Sequence, residues 1–140
     1  MIGIILCGHG HYASGTYSAI ALIAGRPECF EYVDFLQEDS TDDLSEKLKE
    51  KVALLRPKCR EGIVIFTDMA GTSPYKEAVE LRGDLVMEYD IEVVTGTNTG
   101  MLVQMSMARS YIRDMNSFVE TALAEGRKQI ASFEENREEE

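Results

Sequence analysis

Both histidines of the chain stand in one short run, Gly8-His9-Gly10-His11-Tyr12-Ala13-Ser14. The glycines on either side of His9 let the backbone turn tightly and leave the ring open to a large partner. A neutral imidazole, whose free pKa lies near ~6.5, keeps a lone pair at pH 7 and is a good nucleophile toward phosphorus. Covalent phosphohistidine is therefore one reading of His9. A loop histidine that only hydrogen-bonds is the plainer one, and His-x-His is also a spacing at which two ligands of one metal can stand.

A second run, Asp68-Met69-Ala70-Gly71-Thr72-Ser73-Pro74, carries complementary groups. The Asp68 carboxylate can accept the proton of one ring nitrogen of His9 and so fix the tautomer that leaves the other nitrogen free. It can equally bind nearby backbone amides, as strand-end aspartates do. Gly71, Thr72 and Ser73 offer amides and hydroxyls ahead of a helix, at a positive helix end suited to a phosphoryl oxygen, and Gly10 can add to them. A third run, Gly96-Thr97-Asn98-Thr99-Gly100, supplies further donors from Thr97 and Asn98, although such residues are equally expected in an ordinary strand-to-helix turn. The sequence contains no GxxxxGK[ST], HExxH or GxSxG, so the nucleotide-binding, zinc-protease and serine-hydrolase readings have no motif to stand on.

The elements around these runs explain how they could meet. Ile2 to Cys7 is a continuous apolar run ended by glycine, the pattern of a strand buried on both faces. Ser14 to Ala24 turns helical, with Ile20, Ile23 and Ala24 on one side and Gly25 and Pro27 as stop signals. Phe30 to Phe35 is a second strand; Ser40 or Thr41 caps a helix bearing Leu44, Leu48, Val52 and Leu55, ended by Pro57. Gly62 to Thr67 is the clearest strand, followed by Ser73 as N-cap with Pro74 in the first turn and a helix to about Leu81. Ile91 to Thr95 is the fourth strand, and Met101, Leu102, Met105 and Ala108 mark one face of the next helix. A capping box from Ser117 to Glu120 opens a last helix reaching Ile130 to Phe133. This alternation predicts a doubly wound, mostly parallel open α/β sheet with helices on both faces, one domain over 1–133, and a charged tail, 134–140, that frays. In such sheets ligands bind beyond the carboxyl ends of the strands, which is where all three runs fall.

Composition narrows the partners. With Lys+Arg 14 against Asp+Glu 25, the net charge of −11 repels nucleic acid and anionic membrane surfaces and steers basic proteins inward. The three cysteines, Cys7, Cys29 and Cys59, lie far apart without CxxC spacing and read as reduced, partly buried thiols rather than a zinc or redox set. The apolar start is too short to span a bilayer and lacks a basic leader, so a cytoplasmic protein is expected.

Three segments, Ile2 to Ser14 (IGIILCGHGHYAS), Gly62 to Tyr75 (GIVIFTDMAGTSPY) and Glu92 to Leu102 (EVVTGTNTGML), together resemble the IIA domains of the mannose, fructose, sorbose and N-acetylgalactosamine phosphotransferase family. The resemblance covers nearly the whole chain. It implies a phosphoryl carrier: phospho-HPr donates to His9, Asp68 hydrogen-bonds His9, Ser73 lies nearby, and a IIB component takes the group onward to sugar arriving through membrane IIC and IID subunits. It implies no cofactor or metal, and a homodimer made by exchange of an edge strand. His11 takes a position that varies in the family and is not given the phosphate. Thr72 stands where relatives often have glycine. The chain stops where a IIA domain stops, so IIB is expected on a separate protein.

The sugar is not legible, since a IIA protein touches proteins and not sugar; Gly96-Thr97-Asn98 leans toward the N-acetylgalactosamine branch, with mannose and fructose types beside it. Three alternatives stand next to the sugar system. One is the phosphoryl subunit that feeds dihydroxyacetone kinase, which begins with a similar domain and would use the same histidine. Another is a regulatory module whose phosphorylated state is read by a partner. The third is a metal enzyme built on His9, His11 and Asp68. An apolar rim involving Met69 and Tyr12 is expected to dock the partner.

Overall fold

The computed structural model describes residues 1–136 and shows four parallel strands, β1 (Gly3–His9), β2 (Phe30–Phe35), β3 (Ile63–Thr67) and β4 (Ile91–Val94), in the order β2-β1-β3-β4. The strand order reverses between β1 and β3, and a crevice opens at the carboxyl ends of two strands whose connections leave in opposite directions. Register places Cys7 beside Thr67 and Gly8 beside Asp34, so Asp68, the next residue beyond β3, and Asp34 of β2 flank the end of β1 on either side.

Helices α1 (Tyr12–Ala24), α4 (Thr99–Ala108) and α5 (Met115–Lys128) cover one face, burying Ile20, Met101, Leu102, Met105, Phe118 and Ala122 against Ile4, Leu6, Val64 and Phe66. Helices α2 (Thr41–Leu55) and α3 (Ser73–Leu85) cover the other, where Leu44, Leu48, Val52, Leu55, Ala78 and Leu81 meet Ile5, Cys7, Ile63 and Ile65. Alternate residues of β1 and β3 therefore serve opposite cores, which is why both strands read as unbroken apolar runs.

Several helix ends depart from the sequence reading, each for a legible reason. Helix α1 starts at Tyr12 rather than Ser14, because Asp34 of β2 accepts the Ser14 N–H at 2.9 Å and supplies a cap the local sequence lacks. On that helix Ile20 is buried but Ile23 and Ala24 face outward. Thr72, with extended backbone, is the N-cap of α3, and Ser73 is its first helical residue; the helix runs on to Leu85. Asp114, accepting the Ser117 N–H, caps α5 three residues before the expected Ser117. That helix ends at Lys128, and Phe133–Asn136 forms a separate helical turn, α6, inside the tail expected to fray; residues 137–140 lie outside the described residues. Ser40 caps α2 with a capping box closed by Asp43, as the sequence suggests.

Candidate functional site

His9 is the last residue of β1, and its backbone and ring are both tied to Asp68 just beyond β3. The Asp68 Oδ2 accepts the His9 backbone N–H at 2.9 Å and lies 2.7 Å from ring Nδ1. Its other oxygen accepts the Met69 N–H at 2.9 Å. The carboxylate thus performs both roles considered from sequence: it satisfies local amides and it grips the ring. Nδ1 must carry the proton in a neutral ring facing a carboxylate, which leaves Nε2 as the nitrogen with a lone pair. The His9 side chain is 47% exposed while Asp68 is 14% exposed, so the imidazole faces solvent and its anchor does not. The Phe35 ring meets the imidazole edge at 5.9 Å between centroids and limits its swing.

Two glycines make this geometry possible. A side chain at Gly8 would run into Tyr12 at 2.5 Å and the Asp68 carboxyl at 3.0 Å, so Asp68 can approach β1 only across a glycine. Gly10 has φ +56°, which turns the chain from β1 into α1 directly behind His9, and its N–H donates to the Phe35 carbonyl at 2.7 Å.

The remaining expected donors divide. The hydroxyl of Thr72 donates to the Met69 carbonyl at 2.7 Å, bracing the loop. Thr97 hydroxyl donates to the Thr67 carbonyl at 3.1 Å and pairs with the Tyr12 hydroxyl at 2.7 Å. Asn98 caps α4 through the Met101 N–H and donates its side-chain amide to the Gly126 carbonyl at 3.0 Å. Thr97 and Asn98 knit β3, α1, α4 and α5 together, with their side-chain polar groups engaged within the protein. The Gly10 amide is likewise engaged with Phe35. By contrast the N-terminus of α3 has no side-chain cap, while α2, α4 and α5 all have one. The first amides of that helix, beyond the left-handed turn at Gly71 (φ +76°), are the donors left open.

Tyr12 is not part of an exposed rim, since its ring packs into the core and its hydroxyl is bound to Thr97; Met69 is 62% exposed and does present an apolar surface. His11 turns away from His9, with Nδ1 3.3 Å from Asp34 Oδ2 and 81% of the side chain exposed. Among the described residues no three of His, Cys, Asp and Glu gather as a metal-holding group, so His9, His11 and Asp68 do not converge.

Asp34, Phe35 and Lys47 are the site residues that sequence reasoning missed. Lys47 donates to the Asp34 carbonyl at 3.1 Å and to Asp39 at 2.6 Å, fixing the end of β2 beside His9. The register of a parallel pair is what would have found Asp34 and Phe35, and it cannot be read from one strand alone. The paired carboxylates are felt inside the sheet: burial first, then the charges of Asp68 and Asp34, push the Cys7 thiol up to about 12, so it stays protonated beneath the site. A cavity of about 760 Å³ between α2 and α3, lined by Val52, Ala53, Pro57, Leu81 and Leu85, holds none of these groups. The histidine edge is open, and an open edge suits a protein surface better than an enclosed small molecule.

Comparison with known proteins points the same way. The family model described as PTS system fructose IIA component matches residues 3–123. The chain is 26% identical over 132 residues to the mannose-specific EIIAB component of Escherichia coli K12, covering 94% of this chain but only 39% of that relative. It is 28% identical over 104 residues to the sorbose-specific EIIA component of Lacticaseibacillus casei, covering 74% of this chain and 71% of the relative. The crystal structure of a phosphotransferase system component EIIA from Streptococcus agalactiae superposes with a TM-score of 0.87 at 25% identity, over 96% of this chain and 98% of that one. No helix among the described residues is long and apolar enough to cross a membrane.

Proposed function

The chain belongs to the fructose/mannose-type IIA family of sugar phosphotransferase systems, and from that premise we propose that it is a phosphoryl carrier whose acceptor atom is His9 Nε2. The observation that carries this reading is the 2.7 Å contact between His9 Nδ1 and Asp68 Oδ2 on a half-exposed ring. A nitrogen that donates to a carboxylate keeps its proton, so the opposite nitrogen is held as the nucleophile before any partner arrives.

In the transfer, the Nε2 lone pair attacks the phosphorus of a phosphohistidine on the donor protein. The donor N–P bond breaks as the new one forms, and its electron pair returns to the donor ring. The phosphorylated His9 ring keeps its Nδ1 proton and gains positive character, which Asp68 stabilises; this stabilisation grows toward the transition state. The open amides of the turn from Gly71 to Ser73, which leads into α3, are the proposed seat of the phosphoryl oxygens. Thr72 contributes by shaping that loop.

Family membership supports phospho-HPr as donor, a IIB component as acceptor, and membrane IIC and IID subunits beyond it, with transfer taking place in the cytoplasm. A homodimer made by strand exchange would add its strand at an edge such as β4, which among the described residues pairs with β3 alone.

Intact mass after incubation with phosphoenolpyruvate, enzyme I and HPr tests the carrier reading on wild type, His9→Ala and His11→Ala. Wild type and His11→Ala should each gain one acid-labile phosphoryl group and His9→Ala none. No gain in any protein, with donors active on a control, would sink it.

A further inference from the structure

The groove between α2 and α3 carries a charge unlike that of the rest of the molecule. Lys49, Ala53 and the C-cap residue Arg56 stand at i, i+4 and i+7 on the flank of α2 that borders the groove, and Arg60 follows in the turn beyond the helix. Ala53 and Pro57, both small, do not fill the space toward Leu85 of α3, which leaves the cavity of about 760 Å³ with Val52 and Leu81 of the core as its floor. Three cations and one carboxylate, Asp84 on the α3 side, border this apolar floor, in a chain whose acids outnumber its bases 25 to 14. The groove is a basic patch on an acidic molecule.

Internal partners do not use up these cations. Lys49 reaches Glu46 only at 3.8 Å and Arg56 reaches the Glu88 carboxylate at 3.5 Å, with both acids mostly exposed, and among the described residues Arg60 enters no ion pair. Pairs this long and this wet are worth little and exchange readily for a partner's acids. Arg56 is nevertheless held in place, since its guanidinium lies 4.8 Å over the Tyr89 ring and donates to the Glu88 carbonyl at 3.3 Å. The layout of charge then decides what fits. A cavity of this size is large enough for a small amphipathic anion, but a single acidic head engages one end of the wall and leaves the cation at the other end idle. Lys49 and Arg56 are seven helical residues apart, about 10 Å along the axis, with the apolar floor between them. A helix that lays an apolar stripe on that floor and carries acids along one flank meets both features at once. We propose that this groove docks an acidic amphipathic helix of another protein, its acids against Lys49, Arg56 and Arg60 and its other flank, neutral or basic, against Asp84.

Helices α2 and α3 connect parallel strands and so run against them, which puts their last turns at the amino end of the sheet, a strand length or roughly 20 Å from His9. The docked helix leaves the histidine edge free. This partner is therefore distinct from any protein that exchanges a phosphoryl group with His9, and both can be bound together.

The test titrates the isotope-labelled full chain with a capped, alanine-based helical peptide of about 16 residues that carries Leu at i, i+4 and i+7 and Glu along one flank. The same peptide with Lys for every Glu, and dodecanoate, are run beside it. The expected result is amide shifts in residues 49–60 and 81–85 and none in 8–14 or 68–73, with a Kd on the order of 10–100 μM that weakens about fivefold from roughly 50 to 500 mM salt. Ala53→Glu, which puts an acid into the groove, should weaken binding about tenfold, and Arg60→Glu about fivefold; both positions are exposed, and circular dichroism checks that each variant folds. Equal binding of the Lys peptide would show apolar sticking only. Displacement of the peptide by a lower concentration of dodecanoate would make this a small-amphiphile site, and a dimer that Ala53→Glu dissociates would put a second copy of the chain in the groove. Each of these, or no shift in the groove with about 1 mM acidic peptide, overturns the proposal.

Discussion

The two ends of β1 are built on opposite principles. At the carboxyl end, His9 is half-exposed and an uncapped helix end faces an open crevice edge. At the amino end, Arg109 is sealed among four backbone carbonyls from three separate parts of the chain. One end leaves hydrogen-bonding capacity open for a partner, and the other has almost none open. Chemistry and stability are thus expected to reside at different ends of one strand and to be separable by mutation.

The largest effect that would break this division is the loss of Arg109. Arg109→Met leaves the buried carbonyl of Ile2 without this donor and removes the bonds to Glu28 and Cys29, at about 1–3 kcal/mol for a buried unsatisfied group and less for the others, partly offset by no longer burying a cation. We expect a net loss of roughly 3 kcal/mol in urea unfolding, with the rate of phosphoryl acceptance per folded molecule changed by less than about twofold. A rate that falls together with stability would show that the two ends are coupled.

The counterpart at the other end is Asp68→Asn. The amide can still accept the His9 backbone N–H, but facing Nδ1 it either donates or accepts, so the tautomer with a free Nε2 is no longer enforced. Acceptance of the phosphoryl group should slow about 100-fold, equivalent to about 2.7 kcal/mol of transition-state stabilisation, with stability shifted by less than about 1 kcal/mol. Rapid-quench transfer from labelled HPr measures the first quantity and urea titration the second. An unchanged rate would mean that Asp68 only holds backbone.

The same contrast explains what could be read from sequence. The carboxyl end was legible because its groups sit in loops directly after apolar strands, and the rule for open parallel sheets brings such loops together whatever the rest of the chain does. Its details were less legible where partners come from across the sheet: Asp34 caps α1 from a neighbouring strand, and Asn98, which looked like a donor for a ligand, is consumed by Met101 and Gly126. The amino end was illegible, since Arg109 bonds Ile2 from 107 positions away. Long-range polar contacts leave no periodicity behind, and only the assembled fold reveals them.

The smallest predicted effect sharpens the comparison from the carboxyl side, where stabilising contacts near the site should titrate. Asp39 accepts the Lys47 ammonium at 2.6 Å and the Leu36 N–H at 2.8 Å, and these bonds, the lysine first, hold its carboxyl below the usual value. A carboxyl depressed in the folded state stabilises fully above its unfolded pKa of about 3.9 and loses that contribution as pH falls through the lower folded value. Lys47 in turn donates to the Asp34 carbonyl, so protonating Asp39 loosens the strand end beside His9. Wild type and Asp39→Asn should therefore unfold at different urea midpoints near pH 6, and the gap should close as pH is lowered from about 4 toward 2. A gap that stays constant through the acid range would mean that Asp39 acts by its shape and its bond to Leu36, without help from its charge. Arg109, whose contacts are all to neutral carbonyls, offers the internal control: the stability difference between wild type and Arg109→Met should not vary over that acid window.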